Sequence, residues 1–174
     1  MLAQIGVRPH AVAAPDIDEG PRPNERPRDC ALRLASAKAD TVPKTSGDIV
    51  LAADTVVATG GSMLGKPGSA ASATEFLQRL SGRRHRVITG VTVATSDRSW
   101  ARTVETIVKF RRLDTQEITA YIATGEWEGK AGAYAIQGHA ARFIPWIRGS
   151  YTNVVGLPLT ETATLLAAAG LRDA

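Results

Sequence analysis

The apolar positions of this chain change period several times, and each change marks an element. After a proline-rich approach, Pro21 to Pro27, small and apolar side chains at Ala31, Leu34 and Ala35, with Lys38 on the same spacing, predict a helix over 28–40. Gly47 turns the chain into a strand over 49–53. Asp54-Thr55 interrupts that apolar run before Val56-Val57 resumes it. A second helix is predicted over 69–80, with Ala73, Phe76, Leu77 and Leu80 on one face and Ser81-Gly82 as its stop. Residues 86–95 and 102–113 read as strands of an antiparallel hairpin or meander, joined by the polar Ser96-Asp-Arg-Ser99. Asp114 and Glu117 make a capping box for a helix reaching Thr124. Glycines crowd 125–138, strand-like residues lie at 134–137 and 143–148, and a last helix over 160–169 follows Pro158 and closes at Gly170. Hairpins beside helical crossovers predict an α/β fold with a mixed, twisted sheet flanked by helices.

Composition narrows this picture without changing it. The chain has 174 residues, 44% hydrophobic and 22% charged, as expected of a single domain over 1–174. Aromatic residues are few, so Ala, Val, Leu and Ile must fill the core. No apolar stretch has transmembrane length and the first residues lack a signal-peptide layout, so the expectation is a cytoplasmic protein with no membrane partner. The single cysteine, Cys30, falls in the first helix and reads as a small buried side chain, not a nucleophile. A net charge of +4 favours anionic ligands. The dense basic run Arg83-Arg-His-Arg86 has no aromatic platform with it, so a solvated surface is expected and a nucleic-acid partner is not.

Candidate chemistry gathers around Asp54 and Lys66. An acid inside an apolar strand is costly unless paired, hydrogen-bonded or bound to a cation; the competing reading is an Asp that caps a turn. Gly60-Gly-Ser-Met-Leu-Gly-Lys66 matches the first seven positions of a P-loop, but Pro67 stands where a magnesium-binding hydroxyl is needed, which excludes that fold. Lys66 can still meet a phosphate as a point charge. His10, His85 and His139 have no metal-ligand spacing. Asp16-Ile-Asp-Glu19 is either a solvated acidic loop or, with Asp54, a set of oxygen ligands for a hard cation.

In order along the chain, Asp16-Ile-Asp-Glu19, Arg33-Leu-Ala-Ser-Ala-Lys-Ala39, Leu51-Ala-Ala-Asp-Thr-Val-Val57, Leu64-Gly-Lys-Pro67, Ser81-Gly-Arg-Arg-His-Arg-Val-Ile-Thr-Gly-Val91, Lys130-Ala-Gly-Ala-Tyr-Ala-Ile-Gln-Gly138 and Gly149-Ser-Tyr-Thr-Asn-Val-Val-Gly-Leu-Pro-Leu159 follow one pattern. Together they make the chain resemble the Maf family of nucleoside triphosphate pyrophosphatases. The resemblance implies an α/β fold shared with inosine triphosphate pyrophosphatases, often as a homodimer. It also implies hydrolysis of a nucleoside triphosphate to monophosphate and pyrophosphate with a divalent cation, magnesium or manganese. On that basis Asp54 is the expected proton acceptor, Glu19 and Asp54 the metal ligands, and Lys38 and Lys66 the triphosphate contacts. Gln137, with Gly149-Ser-Tyr151, resembles the branch acting on dTTP and UTP, where the 7-methyl-GTP branch carries a glutamate. Thr55 and Gln137 are then substrate-binding candidates for specificity, although Gln137 could equally pin a strand end.

The resemblance also carries a departure. Family members begin with a strand and a Ser-Pro-Arg-Arg loop ahead of the segment matching Leu2 to Gly6, whereas this chain starts at Met1. The expectation is a sheet without its first strand, an unpaired edge, and weakened hydrolysis. That leaves a nucleotide-binding regulatory protein linked to cell division, without turnover, as the alternative reading.

Overall fold

The structure, a computed structural model, describes residues 1–171. Five strands, Val50–Thr59 (β1), Ser62–Leu64 (β2), Arg84–Ala94 (β3), Ser99–Lys109 (β4) and Trp146–Arg148 (β5), form one sheet in the order β2-β1-β3-β4-β5. The α/β expectation holds, but among the described residues the sheet is not mixed: all four pairings are antiparallel. The Gly60-Gly61 hairpin sends the chain back along β1 as β2, and after the next helix β3 also enters against β1.

β1 does not stop before Asp54. It runs through that residue to Thr59, because the carboxylate finds a cation partner and need not break the strand. β2 covers only Val57 to Thr59 of its outer edge. Among the described residues no strand lies beyond Val50 to Val56, and residues 50–55 are half-buried. Ala53, Asp54 and Thr55 of this edge line the candidate site.

One sheet face is covered by the helix Pro27–Thr41 (α1). Pro27 sits in its first turn, where a fixed φ helps and no N–H is missed. Cys30, Ala31 and Leu34 pack on Val56, Ala58 and Ile88, and burial pushes the Cys30 thiol up to about 11, which keeps it protonated and inert. Close approach depends on Gly90: a Cβ there would lie 2.8 Å from Leu32 Cα and overlap the Ala31 carbonyl.

The other face carries the main core, with Val57, Leu77, Val87, Val108, Phe110, Tyr121 and Phe143 under the helices Ala70–Leu80 (α2) and Thr115–Ala123 (α3). Ser69 caps α2, and Asp114 and Glu117 cap α3 reciprocally, as the sequence predicts. The helices Tyr151–Val155 (α4) and Leu159–Ala168 (α5) follow, α5 packing on Val91 and Val93.

Three expectations fail locally. Residues 134–137 form no strand; they lie between short 3-10 turns at Ala131–Ala133 and His139–Phe143, where Gly132 and Ala133 take left-handed conformations that a strand cannot contain. Only Trp146–Arg148 of the segment 143–148 pairs as a strand, and the strand placed over 102–113 ends at Lys109. α4, at five residues, is too short to leave a helical period. No helix among the described residues is long and apolar enough to cross a membrane.

Candidate active site

The site is built where α1, the open edge of β1 and the segments after β2 and α3 converge. Lys38, in the last turn of α1, is hydrogen-bonded to the Asp54 carboxylate, and its Nζ lies 2.6 Å from Glu19 Oε1. The second Glu19 oxygen is 2.6 Å from Lys66 Nζ. The result is a chain of alternating charge, Asp54–Lys38–Glu19–Lys66, running from the interior to solvent: side-chain exposure is 11% at Asp54 and 53% at Lys66.

Burial shapes the inner end of this chain. It pushes the Asp54 carboxyl above the ordinary aspartate value, against the pull of the Lys38 ammonium. Burial also works to lower the Lys38 pKa, but the Asp54 and Glu19 carboxylates outweigh it and hold the ammonium above its usual value. Hydrogen bonds from Lys38 and Lys66 keep Glu19 below the usual glutamate range.

Glu19 lies on a loop without regular structure, and Arg33 of α1 holds that loop in place. The guanidinium grips Glu25 with two bonds, Nε to Oε1 at 2.6 Å and Nη2 to Oε2 at 2.8 Å, and Nη2 also donates to the Gly20 carbonyl at 2.9 Å. A two-pronged clamp of this kind fixes direction as well as distance. The residue beside Gly20 is thereby set above Lys38.

Behind these charges is a cavity of about 280 Å³, lined by Lys38, Asp54, Thr55, Lys66, Lys130 and Gln137, with Val57, Val87, Tyr134, Val154 and Gly156 completing the wall. The Gly132 N–H donates to the Gly65 carbonyl at 3.1 Å, tying the segment bearing Lys130 to the one bearing Lys66. Glu126 accepts from the His139 N–H at 2.8 Å, and a side chain at Gly138 would overlap its carboxylate. Tyr134 is held by a 2.8 Å bond between its hydroxyl and His85 Nε2.

The structure therefore brings Lys38, Asp54, Thr55, Lys66 and Gln137 to one cavity and sets Glu19 against it through both lysines. Gln137 lies at no strand end. The wider acidic set does not assemble: Asp18 accepts from the Gly20 N–H at 2.8 Å, Asp16 is exposed, and among the described residues no three His, Cys, Asp or Glu side chains come together as a metal site. Two carboxylates remain, and both converge on the Lys38 ammonium. Magnesium is commonly held by one or two carboxylates with substrate phosphates and water completing its shell, so this donor pair fits such an ion shared with a substrate. Among the described residues no arginine lines the cavity.

The profile of the family described as Maf-like protein matches residues 1–169. The chain belongs to the Maf family. It is similar to the dTTP/UTP pyrophosphatase of Cereibacter sphaeroides, 58% identical over 171 residues that cover 98% of this chain and 89% of that protein. It is similar also to those of Ruegeria sp., at 55% identity with 98% and 88% covered, and Roseobacter denitrificans, at 53% with 100% and 93% covered.

In this Maf chain several residues at or behind the site carry no separate signal in the sequence. Lys130 opens a matching block, yet nothing in its spacing says that it faces the cavity. Thr89 and Asn153 look like ordinary residues of a strand and a loop, and both are fully buried and hydrogen-bonded behind Thr55. One reading needs correction: Arg84 of the basic run does have an aromatic neighbour, with its guanidinium carbon 5.3 Å from the ring centre of the partly exposed Trp146. The two residues are far apart in sequence and meet only through the β3–β4–β5 pairing.

Proposed function

We propose that this protein hydrolyses dTTP and UTP to the nucleoside monophosphate and pyrophosphate, assisted by magnesium or manganese. One observation carries the proposal: a partly buried carboxylate with an elevated pKa, Asp54, lines a cavity that three lysines and one amide share. Asp54 takes a proton from a water molecule, and that water attacks the α-phosphorus as the pyrophosphate oxygen departs. A carboxylate whose pKa is raised is a better base near neutral pH. Lys38, Lys66 and Lys130 offset the triphosphate charge, the main requirement of phosphoryl chemistry. Glu19 and Asp54 would hold the divalent ion, which supplies charge neutralisation at the phosphate oxygens. The similarity to dTTP/UTP pyrophosphatases along nearly the whole chain supports the substrate. Gln137 is suited to a pyrimidine edge because its amide both donates and accepts.

The test is pyrophosphate release from dTTP, UTP, CTP and 7-methyl-GTP with manganese or magnesium present. dTTP and UTP should turn over fastest, and Asp54→Asn should slow them by at least about 10²-fold. An unimpaired Asp54→Asn enzyme would remove Asp54 from the role of base. A second reading, nucleotide binding without turnover by a regulator of cell division, takes support from the binding side chains Lys66 and Gln137 in the cavity lining. Calorimetric binding of UTP with no pyrophosphate formed would favour it.

A further inference from the structure

Thr55 lines the cavity from β1, and its hydroxyl is the last link in a buried line of hydrogen bonds. Thr55 stands opposite Thr89 in the β1–β3 register, with their Oγ1 atoms 2.9 Å apart. Thr89 Oγ1 also lies 3.1 Å from the main-chain oxygen of Asn153. A carbonyl oxygen can only accept, and a threonine hydroxyl carries a single hydrogen. Thr89 therefore commits its hydrogen to Asn153. The bond between the two threonines then forms only with Thr55 as donor, so the Thr55 hydrogen turns inward and a lone pair remains for the cavity.

Asn153 is held firmly enough to fix this direction. It is fully buried, and its Nδ2 donates to the Val87 carbonyl at 3.1 Å and to Thr106 Oγ1 at 3.0 Å. Thr106 in turn donates to the Ser150 carbonyl at 3.1 Å and accepts the Ser150 N–H at 3.1 Å. Each hydroxyl hydrogen in the network has one destination. Gly156 faces Thr55 closely: a Cβ there would lie 3.6 Å from the hydroxyl oxygen, at van der Waals contact.

We infer that Thr89 and Asn153 are positioning residues that make Thr55 a hydrogen-bond acceptor toward the ligand, so that the cavity selects a base edge bearing a ring N–H over one bearing a ring lone pair. The inference rests on the reading of this cavity as a pyrimidine triphosphate site. Uracil and thymine present N3–H, whereas cytosine presents a lone pair at N3. An acceptor facing an acceptor leaves both desolvated and unpaired, a heavier loss than a contact that is merely absent. Gln137 cannot supply this preference alone, because its amide can turn either way.

Thr89→Val removes the inner hydroxyl at nearly constant volume and frees the Thr55 hydrogen to rotate toward the ligand. The UTP-to-CTP ratio of kcat/KM should then fall by about tenfold, chiefly through KM for CTP, while Thr89→Ser keeps the wild-type ratio. A general loss of packing would lower both substrates together and leave the ratio unmoved. A folded Thr89→Val with an unchanged ratio overturns the inference. If Thr89→Val does not fold, the wild-type protein decides: it must prefer UTP to CTP at least tenfold, roughly the value of one matched polar contact, and equal kcat/KM overturns the inference. Failure of the wild type to hydrolyse any triphosphate would be a different result, removing the pyrophosphatase reading and this inference with it.

Discussion

His85 shows how one side chain can carry pH dependence that belongs to packing and not to chemistry. It is 2% exposed, edge-on to Phe110 and Tyr134, with Nε2 bonded to the Tyr134 hydroxyl and Nδ1 without a partner among the described residues. Burial lowers its pKa from 6.5 to about 4. The folded state thus binds fewer protons than the unfolded chain between these values, so the stability His85 contributes is complete above pH 6.5 and is lost as pH falls through about 4. At about 1.4 kcal/mol per pH unit the loss approaches roughly 3 kcal/mol over the window. Glu25 and Glu117, each lowered to about 2 by a hydrogen-bonded arginine, lose their contribution further down, below 4.5. Urea melts of wild type and His85→Gln on either side of pH 6.5 should therefore diverge in slope, the variant being flatter between pH 6.5 and 4.5. Parallel curves would show that His85 is not held neutral by the core.

At the scale of elements, α1 is placed on the sheet by a gap, and the gap lies beside the chemistry. Gly90 stands opposite Asp54 in register and directly under Ala31 and Leu32, so the same missing side chain admits the helix that brings Lys38 to the carboxylate. Gly90→Ala should cost about 1–3 kcal/mol in a denaturation series, as forced overpacking does, and raise KM for UTP because Lys38 moves with α1. Gly68→Ala, with nothing among the described residues within 4 Å of its added Cβ, is the control and should stay within about 0.5 kcal/mol of wild type. Equal melting of the two variants would remove the close-approach account. The helical spacing of Ala31, Leu34 and Ala35 and the capping box at Asp114 and Glu117 were legible because their signals are local. The antiparallel sense of β1 and β3 was not, since it depends on a hairpin and a helix together. Nor was the irregular path of 134–137, which follows a left-handed turn at Gly132 and Ala133 set against the Val57 side chain.

At the scale of the whole molecule, the cavity joins parts of the chain that share little else. Lys38 arrives on α1, Lys66 after β2, Lys130 after α3, and Gln137 from a turn beyond it. Asp54, Lys38 and Lys66 could be read in the sequence because each sits in a distinctive string, whereas Lys130 and the Thr89–Asn153 support become visible only once these segments are folded together. Three cations held in one cavity repel one another in the free protein, and Glu19 and Asp54 relieve only part of that repulsion. A triphosphate with its divalent ion would relieve the rest and bind only the folded chain, so it must raise stability by mass action. Asp54→Asn allows this to be measured without consuming the nucleotide. At 100 times its dissociation constant, UTP with magnesium should stabilise that variant by about 2.7 kcal/mol, or roughly 5–10 °C in Tm for a chain of this size. Lys66→Ala on the same background should shrink the shift at fixed UTP, because a lysine more than half exposed in the free protein has little other role in holding the fold. A full shift without Lys66 would place the triphosphate elsewhere. No shift in either variant, with the proteins folded, would mean that the cavity does not take a nucleotide in this form.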